Sequence, residues 1–421
     1  MTLEDAAARD RLDPLNSCSQ EFHLPQDADG RNLIYLAGHS LGLQPKSAAR
    51  YVEEELQDWR RLGVLGHHHA GRPWISYHEA LAGPLASLVG AGEDEVVAMN
   101  SLTVNLHLMM ATFFRPSGVR RCVLMEKSSF PSDRYAVISQ LLWHGLDAGG
   151  DLIEVQPRAG ERTLRTEDLV AAIERAGAEL ALVLMPGVQY LTGQFLELPP
   201  LIAAAHRVGA SIGLDLAHAV GNVPLELHDW NADFAVWCSY KYLNAGPGAV
   251  GGCFVHQRHA RDDAAPRLAG WWGQSKAIRF AMGPDFLPIV GAEGWQVSNP
   301  PILSTAPLLA SLQIFERAQM RRLRQKSLDL SAYLESLLAE LPPGRIEIIS
   351  PDEAGRRGCQ VSLRLNLSPH EAKLAYERLA AAGIVGDWRE PDIMRWAPVP
   401  LYNSFTDVFK AVAALTRAIP P

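Results

Sequence analysis

The chain has 421 residues, 48% of them hydrophobic and 20% charged, and a formal net charge of −8, so it holds two or three ordinary domains with an ample core and excludes a broad nucleic-acid surface or a basic membrane face. Its five cysteines (Cys18, Cys122, Cys238, Cys253, Cys359) form no CxxC pair, and three lie in apolar strand-like runs, the usage of a reducing compartment. The acidic start Met1-Thr2-Leu3-Glu4-Asp5 has no signal-type apolar stretch, and no window reaches the ~20 apolar residues of a membrane span, so a cytoplasmic protein without membrane or nucleic-acid partners is expected.

In chain order, residues 50–61 read as a helix ahead of the main alternation. Then come a strand at 96–99 and an apolar helix at 103–114, a strand at 122–125 and a helix at 132–142, and a strand at 152–155. A helix at 166–175 opens on Thr166 with Glu167 and Asp168 in its first turn. A strand at 180–185, a helix at 200–208, and strands ending at Asp215, at Cys238 and at Val255 complete the run. Such alternation predicts a mostly parallel α/β sheet with helices on both faces. A long helix at about 307–341, stopped by Pro342-Pro343-Gly344, is predicted to lead into a smaller α+β domain. That domain has strands at 345–349 and 360–366, a helix at 369–382, extended segments near 384–388 and 393–397, and a last helix after Asn403. The expected division is 71–306 for the large domain, with 1–70 and 307–421 packing together.

Two residues carry the strongest chemical signal. Asp215 closes the apolar run Ala210-Ser211-Ile212-Gly213-Leu214, and Lys241 follows Phe234-Ala235-Val236-Trp237-Cys238. Alone, the first reads as a helix cap and the second as a solvated loop charge. Together they place an acid and an amine on one rim of a parallel sheet. Pyridoxal phosphate needs that pair: a lysine for its Schiff base and a carboxylate to keep the pyridine nitrogen protonated. Asn100-Ser101-Leu102-Thr103 precedes a helix, so its N–H groups either hold a phosphate or are capped by Ser101 or Thr103. Phe130 is placed either to stack on a cofactor ring or to staple the following helix, with Asp133 within reach of the cofactor. His67-His68-His69 has no further ligand at zinc-like spacing, so no metal is expected and a substrate-facing loop histidine is the better reading. Trp271-Trp272 is core or a binding wall. Asn299 lies in a turn, and Arg395 offers a fork for a carboxylate.

Taken together, these blocks resemble the kynureninases, pyridoxal-phosphate enzymes of the aspartate-aminotransferase-like fold type I. The resemblance runs from about Tyr35 to Phe409. It rests on Tyr35-Leu36-Ala37-Gly38 with Ser40-Leu41-Gly42, Arg72-Pro73-Trp74, Leu102-Thr103-Val104-Asn105-Leu106-His107 and Phe130-Pro131-Ser132-Asp133. It continues through Asp215-Leu216-Ala217-His218, Trp237-Cys238-Ser239-Tyr240-Lys241, Gly270-Trp271-Trp272-Gly273, Ser298-Asn299-Pro300-Pro301 and Arg395-Trp396-Ala397-Pro398. It implies hydrolysis of kynurenine or a ring-substituted kynurenine, such as 3-hydroxykynurenine, to an anthranilate and L-alanine in tryptophan breakdown, NAD biosynthesis or a secondary pathway. By resemblance, Lys241 bonds the cofactor, Asp215 pairs with its ring nitrogen and Phe130 stacks on it. Leu102, Thr103, Tyr240, Trp271 and Asn299 line it, with His218 and Asp133 close by, and Tyr240 is the candidate for proton traffic. Ser40, His67, Trp271 and Asn299 border the substrate's aryl group, and Arg395 takes its carboxylate. A homodimer with shared sites is implied, Trp271 and Asn299 coming from the partner chain.

Three positions depart from the family pattern. His39 stands where Asn is usual, Gln274 where His is usual, and Pro186 where a small hydroxyl residue is common. The first two lie in motifs beside the substrate ring and point to a substituted ring. Pro186 removes one hydrogen bond from the cofactor. The competing readings are another fold type I enzyme, a cysteine desulfurase or an aminotransferase, and a non-catalytic fold type I binding module. Cys238 and Cys253 lie in apolar strands, not on a mobile loop where a desulfurase nucleophile belongs. A regulator-type module would need a basic DNA-binding segment, which the chain lacks.

Overall fold

Helix α1 (Leu3–Leu12) opens the chain, closed at its N-terminus by a reciprocal Thr2–Asp5 capping box, and is followed by β1 (Ile34–Tyr35) and α2 (Ala48–Leu62). The computed structural model describes residues 1–260, 262 and 264–419. The central alternation then unfolds as β2 (Val96–Ala98), α3 (Leu102–Phe113), β3 (Cys122–Glu126), α4 (Pro131–Trp143), β4 (Leu152–Val155) and α5 (Thr166–Ala176). It continues with β5 (Leu180–Pro186), α6 (Leu198–Arg207), β6 (Ser211–Asp215), β7 (Phe234–Trp237) and β8 (Gly252–Val255).

These strands make one seven-stranded sheet in the order β2-β8-β7-β6-β5-β3-β4. Strands β7, β6, β5, β3 and β4 run parallel, and β8 is antiparallel to both β7 and β2. Because side chains alternate across a strand, the apolar runs feed two core layers. Leu124, Val183, Leu214 and Ala235 enter one, and Val123, Leu182, Phe234 and Val236 enter the other. Burial on both faces is why these strands read as continuous apolar runs. In register, Pro186 pairs with Asp215 and Asp215 with Val236, so β5, β6 and β7 end on a common rim. Ligands bind at that rim in open α/β sheets.

The single long helix expected at 307–341 is two helices, α7 (Ile302–Ala318) and α8 (Met320–Leu338). Gln319 between them has φ +63°, which breaks the hydrogen-bond ladder and redirects the chain. Both helices keep a buried face, so the apolar pattern runs across the break. The smaller domain follows with β9 (Ile346–Ile348), β10 (Val361–Leu365), α9 (Pro369–Ala381), β11 (Ile384–Val385), β12 (Asp387–Arg389), β13 (Ile393–Trp396) and α10 (Phe405–Ala418). Four strands form an antiparallel sheet in the order β12-β13-β10-β9, while β11 pairs in parallel with β1. The one extended segment expected near 384–388 is thus two short strands in different sheets. They part at Gly386, where a Cβ would press on the Trp396 indole at 2.8 Å.

The N-terminal stretch joins both cores. Ala6 and Leu36 pack with Leu334, Leu363 and Trp396 of the smaller domain, whereas Leu15, Phe22 and Leu43 pack with the large one. Ala48 and Tyr51 of α2 pack on Ala306 and Ala310 of α7. No helix among the described residues is long and apolar enough to cross a membrane.

Candidate active site

One cleft opens at the rim of the large sheet, where open α/β sheets bind their ligands. Leu102 and Thr103 line it from the start of α3, Phe130, Ser132 and Asp133 from the start of α4, and Pro186, Val188 and Tyr190 from the end of β5 and the segment after it. Asp215, Ala217 and His218 line it after β6, and Tyr240 and Lys241 after β7. The acid and the amine predicted from two distant apolar runs therefore share one cavity. The Lys241 amine lies 5.8 Å from the centroid of the Phe130 ring and 5.9 Å from that of Tyr240. Gly42 brings the 38–43 segment over this loop. Its N–H donates to the Tyr240 carbonyl at 2.8 Å, and a Cβ there would land on the Lys241 carbonyl.

The cleft is rich in carboxyl groups. Asp215 Oδ1 accepts the Ala217 N–H at 2.7 Å, which fixes its orientation. Burial raises the Asp215 carboxyl, and the Ala217 N–H and Lys241 pull it back. Asp133 is raised further, by burial and then by the charge of Asp215. Glu126, at the end of β3, is pushed by burial up to about 7 and meets the Gln189 amide at 3.3 Å. His218 is held well below its ordinary value by burial and by Lys241, so it stands neutral. Burial also raises the Tyr240 phenol, which keeps its proton.

These residues fit pyridoxal phosphate. The Asp133 Oδ1 and His218 Nδ1 atoms are buried without a hydrogen-bond partner, and both residues line the cleft that the cofactor would fill. The N-cap residue of α3, Ser101, makes no side-chain capping bond, so the first-turn N–H groups stay open to a phosphate. Thr103 and Ser132 hydroxyls lie 2.9 Å apart beside them.

Arg395, Ser40 and His39 do not line this cleft, and Arg395 meets it through Tyr190. Arg395 is 1% exposed. Its Nε and Nη2 reach Asp387 Oδ1 at 2.9 and 2.7 Å, and its Nη1 donates to the Tyr190 carbonyl at 2.6 Å. The Ser40 hydroxyl donates to Asp387 Oδ2 at 2.6 Å and lies 3.3 Å from Arg395 Nη2. His39 is fully buried, its ring 6.3 Å from that of His218. Burial, Arg395 and Lys241 together hold His39 neutral.

The C-terminal part of the chain, residues 323–415, matches the family model described as the kynureninase C-terminal domain. Over nearly its whole length the chain is 54% identical to a kynureninase of Myxococcus xanthus, with 96% of this chain and 95% of the relative covered. It is 51% identical to one of Koribacter versatilis, covering 97% and 95%, and 53% identical to one of Xanthomonas campestris, covering 97% and 96%. The chain belongs to the kynureninase family. Among solved structures, a cystine C–S lyase in complex with cysteine persulfide superposes with a TM-score of 0.77 at 20% identity, covering 92% of this chain and 98% of that one. A cysteine desulfurase from Thermococcus onnurineus gives 0.74 at 18% identity, covering 92% and 94%. At those identities the likeness shows the fold, which is fold type I.

Four residues expected at the kynureninase site lie elsewhere in the single chain. Trp271 is 42% exposed, edge-on to Trp272 and Phe280, and Asn299 is exposed nearby. His67 packs edge-on against Trp74 at 5.6 Å. The Gln274 amide donates to the Asp285 carbonyl and accepts the Leu287 N–H, both at 2.7 Å, so it shapes its own loop. The cleft also holds Glu126, Ser132 and Tyr190, which sequence reasoning missed; of these only Glu126, a lone acid ending an apolar strand, carried a readable signal. Two other clusters bring histidines and carboxylates within metal-binding distance. In one, Glu95 already accepts the N–H groups of Gly92 and Gln257 at 2.8 and 2.7 Å. In the other, Lys276 bonds Glu79 and Glu293 at 2.9 and 2.8 Å.

Proposed function

We propose that this kynureninase carries pyridoxal 5'-phosphate on Lys241 and hydrolyses the Cβ–Cγ bond of L-kynurenine or a ring-substituted kynurenine to an anthranilate and L-alanine. As a kynureninase the chain is a hydrolase of carbon–carbon bonds that depends on pyridoxal phosphate. The observation that carries the residue assignment is the single cleft shared by Lys241, Asp215, Asp133, Phe130 and Thr103. Purified chain with added cofactor should release anthranilate from L-kynurenine. Alanine from cysteine, with sulfide released when a thiol reductant is added and no anthranilate from L-kynurenine, would favour the desulfurase reading instead. Burial of Cys238 and Cys253, which raises both thiols, weighs against that alternative.

When bound, the cofactor supplies an electron sink for the substrate α-carbon. Lys241 moves the proton at that carbon. Asp215 holds a proton on the ring nitrogen, and Phe130 gives the ring a flat wall. Open N–H groups at the start of α3, with Thr103, hold the phosphate. Tyr240, protonated, delivers and recovers protons at the β-carbon and at the hydrated γ-carbonyl. Arg395 orients the substrate by its α-carboxylate, and His218 stays neutral beside Lys241. Pro186 lines the same cleft without an N–H to offer. The division into a large domain at 71–306 and a smaller one built from 1–70 and 307–421 belongs to the same reading.

Arg395→Lys keeps the charge but loses the planar fork. Loss of one charge-assisted bond costs roughly 1.5–3 kcal/mol, or about one to two decades in kcat/KM. An unchanged kcat/KM would make Arg395 structural.

The assembly we infer is a homodimer in the cytoplasm, each site completed by Trp271 and Asn299 of the other copy. Its support is the exposed apolar run around them, with Phe280, Met282 and Val290 all open to solvent. Sedimentation as a single copy at micromolar concentration would remove this part of the reading.

Neither His39 nor Gln274 lines the cleft of its own chain; His39 sets ring preference from beside His218, and Gln274 through the Trp271 loop that the other copy contributes. A ring-substituted kynurenine is preferred over plain kynurenine. Replacing His39 by Asn and Gln274 by His together should shift that preference with little change in cofactor content. The same ratio of kcat/KM values across a ring-substituted panel would acquit both residues.

A further inference from the structure

Asp387 lies on the short edge strand β12, and neither apolar periodicity nor any motif marks it. Its carboxylate is the centre of a compact charge cluster. Oδ1 meets Arg395 Nε at 2.9 Å and Nη2 at 2.7 Å, and also Arg389 Nε at 3.1 Å. Oδ2 accepts the Ser40 hydroxyl at 2.6 Å. Two guanidinium groups thus share one carboxylate, and the cluster has one positive charge to spare.

The partners on the two edges of the Arg395 fork differ in strength. The Nε/Nη2 edge holds a carboxylate, a charge-assisted pair roughly twice as strong as a neutral hydrogen bond. The Nη1/Nη2 edge holds only the Tyr190 carbonyl at 2.6 Å and the Ser40 oxygen at 3.3 Å. Both are neutral acceptors, and Ser40 has already given its proton to Asp387. An arriving carboxylate gains most by exchanging those two, so it takes the Nη1/Nη2 edge and leaves Asp387 in place. Register holds this arrangement, because Asp387 pairs directly with Arg395 across β12 and β13.

We propose that Asp387 is the positioning residue of the substrate-carboxylate site, gripping Arg395 by its Nε/Nη2 edge and presenting the Nη1/Nη2 edge to the substrate's α-carboxylate. The proposal rests on the reading of Arg395 as the partner of that carboxylate. With substrate bound, two guanidinium groups face two carboxylates and the cluster is neutral. Without Asp387 the two cations repel each other and the fork loses its fixed plane.

The test compares L-alanine with ethylamine, which is alanine without its carboxyl group, by titrating each against the absorbance of the bound cofactor in the holoenzyme. Asp387→Asn should weaken L-alanine at least about tenfold, the worth of one charge-assisted bond, and leave ethylamine unchanged. Ser40→Ala, which removes no charge, should shift alanine in the same direction by a few-fold, and it serves if Asp387→Asn does not fold. Tighter alanine binding would make Asp387 a competitor for the fork and overturn the proposal. Equal weakening of both ligands, or of neither, would overturn it as well. Arg395→Gln separates the two levels. If that variant keeps the parent's alanine-to-ethylamine ratio, the reading of Arg395 fails; if it loses the ratio while Asp387→Asn keeps it, only the role of Asp387 fails.

Discussion

Lys241→Ala is expected to lose borohydride-fixed attachment of the cofactor and essentially all turnover. The loss is large because one side chain does two jobs in the proposed reaction, covalent anchoring and proton transfer at the α-carbon. Proton transfer by a placed side chain contributes about 10²–10⁴-fold by itself. The substitution also removes the cation that draws down Asp133 and Asp215 and depresses His218. The two carboxyls should then take up protons more readily, weakening the hold on a protonated ring nitrogen. Peptide mapping after borohydride reduction checks the assignment. Label on another lysine, such as Lys127 beside the same rim, would show that Lys241 is not the anchor.

Asp215 and Lys241 were legible because the first ends a strand buried on both faces and the second closely follows another. Such strands read as unbroken apolar runs, and a charged residue at their end is conspicuous. Thr103, Phe130 and Asp133 stand at the starts of α3 and α4, where the sequence alone offers a helix cap or staple as readily as a cofactor contact, and only the resemblance chooses between them. The break at Gln319 was invisible, since α7 and α8 bury continuous apolar faces and only one backbone angle separates them. Asp387 was invisible for another reason. Besides Arg389 on its own strand, its partners are Ser40, 347 positions away, and Arg395, across a strand pair only three residues long. Neither contact leaves a periodic trace. Glu126 ends the buried strand β3 as Asp215 ends β6 and carried the same readable signal, whereas Tyr190 reaches the cleft from the loop after β5, where no apolar period reports what a residue faces. The exposed Trp271 loop is legible as anomalous but not as to its cover, because one chain cannot display what a second copy supplies.

Asp215→Asn should leave the fold intact and cut α-proton exchange in L-alanine by about 10²-fold or more, as loss of a charge partner in a buried site requires. The fold should survive because an Asn oxygen can accept the Ala217 N–H that Asp215 accepts at 2.7 Å. Exchange should fall because a neutral amide does not favour a proton on the ring nitrogen, and the electron sink depends on that proton. The residual rate depends on Asp133. In the parent protein burial raises Asp133 and the neighbouring Asp215 raises it further. Removing the charge at 215 relieves the second effect, so the Asp133 carboxyl falls back toward the ordinary carboxylate range and ionises at lower pH. Residual exchange in Asp215→Asn should therefore rise with pH as Asp133 loses its proton. The double variant Asp133→Asn with Asp215→Asn should lose both that residue of activity and its pH dependence. Near-normal deuterium exchange in Asp215→Asn would remove Asp215 from its role. A residual rate flat with pH would show that Asp133 does not stand in for it, leaving the electron sink to Asp215 alone.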